Sequence, residues 1–218
     1  MTVGRMDEAL KQSAGENACR RREDAAAVLT TAPPKGRPGT TPGPARPKHE
    51  CGMLDMRIAK DGSWHYQGSP IGRKELVCLF ASVLKREADG RYLLETPVER
   101  GEITVEDAPF VAVEVFWRRC EGRQCLTFRT NLDEMVTADA DHPIRVAIDR
   151  RSREPRPYVT VRPGLEARIN RAVFYELVAL AKTETVEGRE LLGVWSEGVF
   201  FPIDEVPAES RNGAAAAE

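Results

Sequence analysis

The stretch "DGSWHYQGSPIGRKELVCLF", residues 61–80, contains the signals that decide the local fold. Asp61-Gly62 lies between two runs of alternating apolar and polar residues, which predicts a β-hairpin. After Arg73 the apolar residues recur with helical spacing, which predicts a helix. The residues expected on its buried face are Leu76, Leu79, Phe80 and Val83. We therefore expect a strand pair followed directly by a helix.

The glycine-containing loop between these elements has two interpretations. Ser69 and Pro70 fit the N-cap and first position of the helix, where a hydroxyl caps backbone N–H groups and proline loses nothing. Alternatively, free N–H groups and the helix dipole favour an anion, which would be held by Ser69, Gly72 and Arg73. The spacing is not that of a Walker loop, because G-x-x-x-x-G-K-[ST] is absent here.

Downstream of residue 90, strand-like runs dominate. In "FVAVEVFWR", residues 110–118, Val111, Val113, Val115 and Trp117 are expected on one face of a half-buried antiparallel strand. Gly122 is expected in the following hairpin turn. Residues 170–182 predict a second helix, with Phe174, Leu177, Val178 and Ala181 on one side, and Glu197-Gly198 predicts a terminal hairpin.

The two predicted helices share a pattern. Residues 71–83 and 169–181 both begin Ile-x-Arg and then place apolar residues at the same four spacings. Such self-similarity is typical of internal duplication, although chance matches of this length also occur.

Composition excludes several classes of protein. The chain is 41% hydrophobic and 30% charged with net charge −2, which is typical of an ordinary soluble protein. Residues 51–218 carry 23 Lys/Arg against 28 Asp/Glu, which argues against a duplex-binding surface, and no apolar run is long enough to span a membrane. We therefore predict no nucleic-acid and no membrane partner, with an unknown protein partner.

The five cysteines include no C-x-x-C pair, and residues 1–30 contain no apolar run as long as the h-region of a signal peptide. Reduced thiols and a cytoplasmic location are therefore expected, and no metal site or cofactor is predicted. Six prolines between Pro33 and Pro47 predict a solvated linker. The expected organisation is a disordered Pro-rich tail at 1–50, α+β domains at 51–108 and 109–204, and a disordered tail at 205–218.

His142 is the residue most suited to acid–base chemistry. It follows Asp141, and a histidine beside a carboxylate can titrate near neutral pH. Because Asp141-His142-Pro143 is also an ordinary turn sequence, the pair remains a weak catalytic candidate.

A second candidate site lies at strand ends. Arg129, Thr130 and Asn131 end one strand, and Arg145 and Arg156 follow, which supplies the guanidinium and amide donors that phosphate or carboxylate groups prefer. The alternative is a set of surface arginines paired with Asp or Glu.

Several segments, in order, resemble the bacterial domain-of-unknown-function 1285 family. They include "CGMLDMRIAKDGSWHYQGSPIGR", "LTFRTNLDEMV" and "EPRPYVTVRPGLEARINRAVFYELV", and together they cover nearly all of residues 51–203. The family usually has an apolar, tryptophan-containing lead-in before the first segment, whereas this chain has "PGPARPKHE".

The resemblance implies an α+β fold with a duplicated core of antiparallel sheets and packed helices, and a pleckstrin-homology-like C-terminal half. It further implies a nucleotide-like anionic ligand between two related domains and a signalling role. The matching ligand-binding positions are Arg129, Thr130, Asn131, Asp141, His142, Arg156 and Tyr158. The alternatives are a hydrolase that uses His142 and Asp141, and a protein-interaction scaffold.

Overall fold

The computed structural model describes residues 49–205, apart from the side chain of Cys120. The predictions made for the two tails lie outside these residues. Strands account for 56% of the structure and helices for 12%, so the fold is mostly β and less balanced than the α+β label suggests. Within the described residues, no helix has the length and hydropathy needed to cross a bilayer.

The described chain divides into two compact units. The N-terminal unit contains residues 49–58, 63–104 and 132–134, and the C-terminal unit contains residues 59–62, 105–131 and 135–205. Each has its own sheet and its own apolar core. The predicted domain boundary at residues 108 and 109 stays a prediction.

The N-terminal unit contains a six-stranded sheet and one helix, α1. The strand order is β3-β2-β1-β6-β5-β4. Asp61-Gly62 forms the predicted turn between β1 and β2, with Gly62 at a φ of 81°. The elements are β1 His49–Ile58, β2 Trp64–Tyr66, β3 Ser69–Pro70, α1 Lys74–Ser82, β4 Leu84–Arg86, β5 Tyr92–Glu95 and β6 Glu99–Val105.

The predicted start of α1 is wrong. Ser69 and Pro70 form the short strand β3, which pairs with Tyr66 and His65 of β2. The N-cap is Arg73, and no side chain caps the helix. The reason is the two-residue turn at Gln67-Gly68, where both φ values are positive; it returns the chain as a hairpin before the helix begins.

The predicted buried face of α1 is also wrong. The helix buries Val77, Cys78 and Ala81, whereas Leu76 and Leu79 are 37% and 47% exposed. Apolar residues occur on most sides of this short helix, so periodicity alone could not select the side that packs. Cys78 is disulfide-bonded, which corrects the expectation that the thiols are all reduced.

The C-terminal unit contains a second six-stranded sheet, in the order β10-β11-β12-β7-β8-β9. Read from the β9 edge, the strand numbers follow the order of the first sheet with six added to each, but α1 of the N-terminal unit has no counterpart between β9 and β10. The strands are β7 Phe110–Cys120, β8 Arg123–Thr130, β9 Met135–Thr137, β10 Ile144–Ile148, β11 Pro155–Arg162 and β12 Leu165–Ile169.

The C-terminal unit continues with a helix, α2, and a three-stranded antiparallel sheet in the order β13-β14-β15. These elements begin 97 to 100 residues after α1, β4, β5 and β6 respectively, so the pattern shared by the helices extends to three following strands. The resemblance to pleckstrin-homology-like folds stays a prediction. The elements are α2 Arg171–Leu180, β13 Lys182–Val186, β14 Arg189–Ser196 and β15 Val199–Glu205.

Helix α2 starts where predicted, but its packing differs. The Asn170 side chain accepts a hydrogen bond from Val173 N at 2.8 Å and caps the helix. Val173 and Leu177 are buried, whereas Val178 of the predicted face is 39% exposed. The expected alternation of β7 fails as well: Ala112 and Val115 are both in the core because a bulge between Ala112 and Glu114 shifts the alternation.

Candidate functional site

One face of the C-terminal sheet carries a row of polar side chains. Register aligns Arg145 of β10 with Tyr158 of β11, and Tyr158 with Arg168 of β12. Their neighbours along each strand, such as Ile144, Val159 and Ala167, are buried in the core. The row therefore lies on the face opposite the core, which we call the polar face.

Tyr158 is the centre of the row. Its side chain is buried, with the residue only 5% exposed, and its hydroxyl donates to Asp107 Oδ1 at 2.7 Å. Burial, and then the hydrogen bond to the Asp107 carboxylate, raise the pKa of Tyr158 to about 12. The phenol therefore stays neutral at physiological pH and holds Asp107 in place.

Three arginines surround this tyrosine, and each is paired with a carboxylate. Arg145 donates to both oxygens of Glu166, at 2.5 and 2.6 Å, and its guanidinium lies 4.3 Å from the centre of the Tyr158 ring. Arg168 donates to Asp107 Oδ2 at 3.3 Å, and Arg156 pairs with Asp149. The arginine side chains are 50%, 37% and 36% exposed in that order.

These pairs leave part of each guanidinium toward solvent. A guanidinium has five N–H donors, and the carboxylates accept from only some of them. The hydrogen bonds with Glu166 also raise the pKa of Arg145, although burial acts against this. The three arginines thus offer oriented donors to an anion without leaving their carboxylates.

The structure brings four of the seven predicted ligand-binding residues to the polar face: Arg129, Asn131, Arg156 and Tyr158. Arg129 donates to Glu114 at 2.7 Å across β7 and β8. Asn131 is fully used, because its Oδ1 accepts from Val111 N at 3.0 Å and its Nδ2 donates to Gly62 O at 3.2 Å. Asn131 therefore fixes the position of Gly62 within the C-terminal unit.

The other three lie elsewhere. Thr130 is completely buried on the core side, paired with Ala112. Asp141 and His142 lie in the loop between β9 and β10, where His142 Nδ1 bonds to Asp139 Oδ1 at 3.0 Å. The histidine thus has a carboxylate partner, and that partner is Asp139 in place of Asp141.

Asp139 organises this loop. Its Oδ1 also accepts from the backbone N–H groups of Asp141 and His142, at 2.9 and 2.8 Å. Burial alone raises the pKa of Asp139, but the hydrogen bonds from His142 and Asp141 outweigh it and hold the pKa below its ordinary value. The carboxylate therefore remains charged and stabilises the turn.

The predicted anion site at Ser69, Gly72 and Arg73 is in the N-terminal unit. Ser69 is in β3 and only Arg73 is at the helix start, so the three do not form one helix N-terminus. The same unit has a surface groove of about 350 Å³ along β1. It is lined by Met53, Leu54, Asp55, Met56, Arg57, His65, Gly68 and Thr104.

Sequence reasoning missed Asp107, Glu166 and Arg168. The signal for the last two was the alternation in "LEARI", residues 165–169, where Leu165, Ala167 and Ile169 are buried. Asp107 could not be found in this way because it lies before β7, and only the tertiary fold brings it to Tyr158. Among the described residues, no group of three His, Cys, Asp or Glu side chains could hold a metal ion.

Comparison with known proteins gives a consistent result. The model described as "Domain of unknown function (DUF1285), N-terminal domain" matches residues 46–108, and "Protein of unknown function (DUF1285), C-terminal domain" matches residues 109–203. No curated protein matches the chain.

Two solved structures are similar to it. A DUF1285 family protein from Silicibacter pomeroyi DSS-3 is 46% identical, with a TM-score of 0.67, over 77% of this chain and 91% of that one. Another, from Shewanella baltica OS155, is 26% identical, with a TM-score of 0.46, over 58% of this chain and 91% of that one.

Proposed function

The chain belongs to the DUF1285 family, and we propose that it is a non-catalytic protein that binds a small anionic, nucleotide-like ligand at the polar face of its C-terminal unit. Occupancy of this site would act as a signal that a partner protein reads. The observation that supports the proposal is the group of three half-exposed arginines around Tyr158.

The geometry of these arginines suits phosphate or carboxylate oxygens. Arg145, Arg156 and Arg168 are on adjacent strands and point from the same face. Each is oriented by a carboxylate, so less side-chain entropy is lost when a ligand binds. Planar guanidinium donors bind such oxygens in pairs of hydrogen bonds.

The summed charge of the polar face determines which forces would hold such a ligand. Arg145, Arg156 and Arg168 are matched by Glu166, Asp149 and Asp107, so the six side chains are neutral in sum. Binding therefore depends on short directed hydrogen bonds more than on long-range attraction. We expect specificity for the shape of the anion and a weak dependence on salt.

The chemistry of the polar face favours binding over catalysis. A tyrosine with a pKa of about 12 is too weak an acid to give up its proton readily near neutral pH. Its hydroxyl and the Asp107 carboxylate are bound to each other at 2.7 Å. His142, the residue best suited to proton transfer, is in the β9–β10 loop with Asp139.

The test is a thermal-shift screen of nucleoside mono-, di- and triphosphates and phosphorylated sugars, followed by calorimetric titration of each hit. A ligand at 100 times its Kd stabilises the folded state by about 2.7 kcal/mol. We expect the double variant Arg145→Gln/Arg156→Gln to lose most of the shift. The matched control is Lys182→Gln/Arg189→Gln, which removes two exposed charges of the three-stranded sheet and retains it.

Two results would overturn the proposal. One is the absence of any shift at millimolar concentrations of every compound in the screen. The other is steady conversion of a bound compound to product, followed by chromatography and abolished in His142→Ala with the fold intact, which would establish the hydrolase alternative.

A further inference from the structure

A second feature of the C-terminal unit is independent of the polar face. Strand β7 is parallel to β12, and β12 and β10 are both antiparallel to β11. The carboxyl ends of β7, β10 and β12 are therefore at the same end of the sheet. Each of these ends leads into a segment rich in arginine.

We call this end the basic rim. The end of β7 contributes Arg118 and Arg119, and the start of β8 contributes Arg123. The loop after β10 contributes Arg150, Arg151 and Arg153, and the helix after β12 contributes Arg171. These seven residues are all exposed. Among residues 49–205 none of the seven forms an ion pair with a carboxylate. Arg171 donates to Tyr175 OH at 2.9 Å and is attracted at longer range by Glu154.

Acidic residues on the rim are fewer. Glu121, Glu154 and Glu197 are on the same or adjoining turns, and Asp149 is already paired with Arg156. The rim is thus locally positive on a chain whose net charge is −2. Such an excess of exposed cations attracts a negatively charged ligand to this end of the sheet.

The rim is too long for one small anion. Ala112 is level with the last residue of β12, Ile169, and β7 continues for eight residues to Cys120, which is roughly 26 Å at the rise of a strand. A ligand that contacts arginines on all three segments must be extended and must carry many negative charges.

Exposed aromatic side chains accompany these arginines. Phe116 and Trp117 precede Arg118 and are 48% and 56% exposed, and Tyr175, beside Arg171, is 58% exposed. Aromatic rings and guanidinium groups together are the usual contacts to the bases and phosphates of a single strand, because every base has a face that can stack. A chain of phosphates without bases would leave these rings unused.

We propose that the basic rim binds single-stranded nucleic acid, with the arginines on the phosphates and Trp117 on a base. This site is separate from the polar face and does not depend on its ligand. The proposal departs from the prediction of no nucleic-acid partner, which rests on the net charge of residues 51–218 and not on the charge at one end of one sheet.

The experiment measures fluorescence anisotropy of a labelled oligodeoxythymidine of about 15 nucleotides, within the range that single binding domains cover. We expect saturable binding whose logarithmic affinity falls with salt by about 0.7 for each phosphate contacted. Arg150→Gln/Arg151→Gln should weaken binding and reduce that slope by about 1.4. Lys182→Gln/Arg189→Gln, which removes the same charge away from the rim, should change neither.

A second set of measurements distinguishes binding of nucleic acid from binding of phosphate groups alone. Trp117→Ala should weaken oligonucleotide binding roughly tenfold through lost stacking, while far-ultraviolet circular dichroism confirms the fold. Inorganic polyphosphate of equal charge should compete poorly. The proposal is overturned if the oligonucleotide does not bind, if the rim and control double variants behave alike, or if polyphosphate competes equally and Trp117→Ala binds normally.

Discussion

Arginine occupies two regions of the C-terminal unit, and its surroundings differ completely between them. On the polar face, each arginine has a carboxylate partner, and the pair Arg145–Glu166 reaches across β11. The arginines are Arg129, Arg145, Arg156 and Arg168. At the basic rim, seven arginines have none within the described residues. The same side chain is thus part of a fixed network in one region and a solvated charge in the other.

The two groups of arginines are expected to differ in their contribution to stability and in their availability to a ligand. A network that includes the buried Tyr158 contributes to folding, and it is disrupted when one member is removed, because the remaining groups lose their partners. A solvated arginine contributes almost nothing to folding and is available to a ligand. Stability measurements should therefore separate the two regions even before any ligand is known.

The largest effect is expected at Asp107. Its side chain is 10% exposed and accepts hydrogen bonds from both Tyr158 and Arg168. Asp107→Ala leaves a buried hydroxyl and a guanidinium without an acceptor, which should lower the free energy of unfolding by about 3 kcal/mol. Urea denaturation measures this.

Glu121→Ala at the rim is the matched control for Asp107→Ala. Glu121 is exposed, so its loss should change the free energy of unfolding by less than about 0.5 kcal/mol. Equal losses in the two variants would show that the network around Tyr158 does not stabilise the fold, and the comparison of the two regions would fail.

Two glycines with the same positive φ provide a second comparison, in which the surroundings of the glycine differ. Gly62 and Gly122 both have a φ of 81°. A Cβ on Gly62 would be 2.7 Å from Asn131 Nδ2 and 2.9 Å from Val111 Cγ2, whereas one on Gly122 would meet nothing within 4 Å. Gly122→Ala therefore carries only the backbone cost of about 1 kcal/mol, and Gly62→Ala should cost about 1–2 kcal/mol more.

Thermal and urea unfolding of these two variants would check the expected order. The double variant Gly62→Ala/Asn131→Ala removes the closer contact and should recover part of the difference. If Gly62→Ala and Gly122→Ala were equally stable, Asn131 would not hold the turn in the way that its hydrogen bond to Gly62 O indicates.

The sequence predicted local turns well because they depend on local chemistry. Gly122 and Gly198 lie in two-residue turns in which both residues have positive φ, as that turn type requires. Gly62 also has positive φ, in a five-residue connection between β1 and β2. The pattern shared by the two helices also proved structural, since both precede three antiparallel strands. These features need no knowledge of distant contacts.

Packing faces were harder to predict. Both helices are apolar on several sides, so the sheet that each contacts decides which side is buried. In β7 a bulge after Ala112 reverses the alternation, and a bulge has no clear sequence signal here. The sequence also predicted only part of the candidate site. Arg156 and Tyr158 could be placed on one face by strand alternation, whereas the role of Asp107 follows from a hydrogen bond to a residue 51 positions away.

A third comparison concerns the stability of wild type and Tyr158→Phe at alkaline pH. Because the pKa of Tyr158 is raised from 10.0 to about 12 in the folded state, its contribution to stability is complete below pH 10 and is lost as the pH rises through 12. Tyr158→Phe removes this contribution. The difference in unfolding free energy between wild type and Tyr158→Phe, measured by urea denaturation, should be constant below pH 10 and shrink above it.

Arg171 and Tyr175 at the rim provide the control for the alkaline experiment. Tyr175 is 58% exposed, so Tyr175→Phe is the matched removal of a phenol that is not buried. A difference between wild type and Tyr158→Phe that stays flat to pH 12 would mean that the Tyr158 phenol is not held neutral by burial and Asp107.

The smallest effect distinguishes one paired arginine from one unpaired arginine on the same hairpin. Arg156 pairs with Asp149, whereas Arg150 has no carboxylate within salt-bridge distance in the described chain. Arg156→Gln should lower the free energy of unfolding by about 0.5–1 kcal/mol, the value of a partly exposed ion pair, and Arg150→Gln by nearly nothing. Raising the salt concentration should reduce the first effect and leave the second unchanged. If both variants unfolded alike at low salt, the ion pair between Arg156 and Asp149 would not stabilise the fold. Asp149 would then stabilise only its own turn, where it accepts hydrogen bonds from the N–H groups of Arg151 and Ser152. Arg156 would then be a solvated arginine like those of the basic rim.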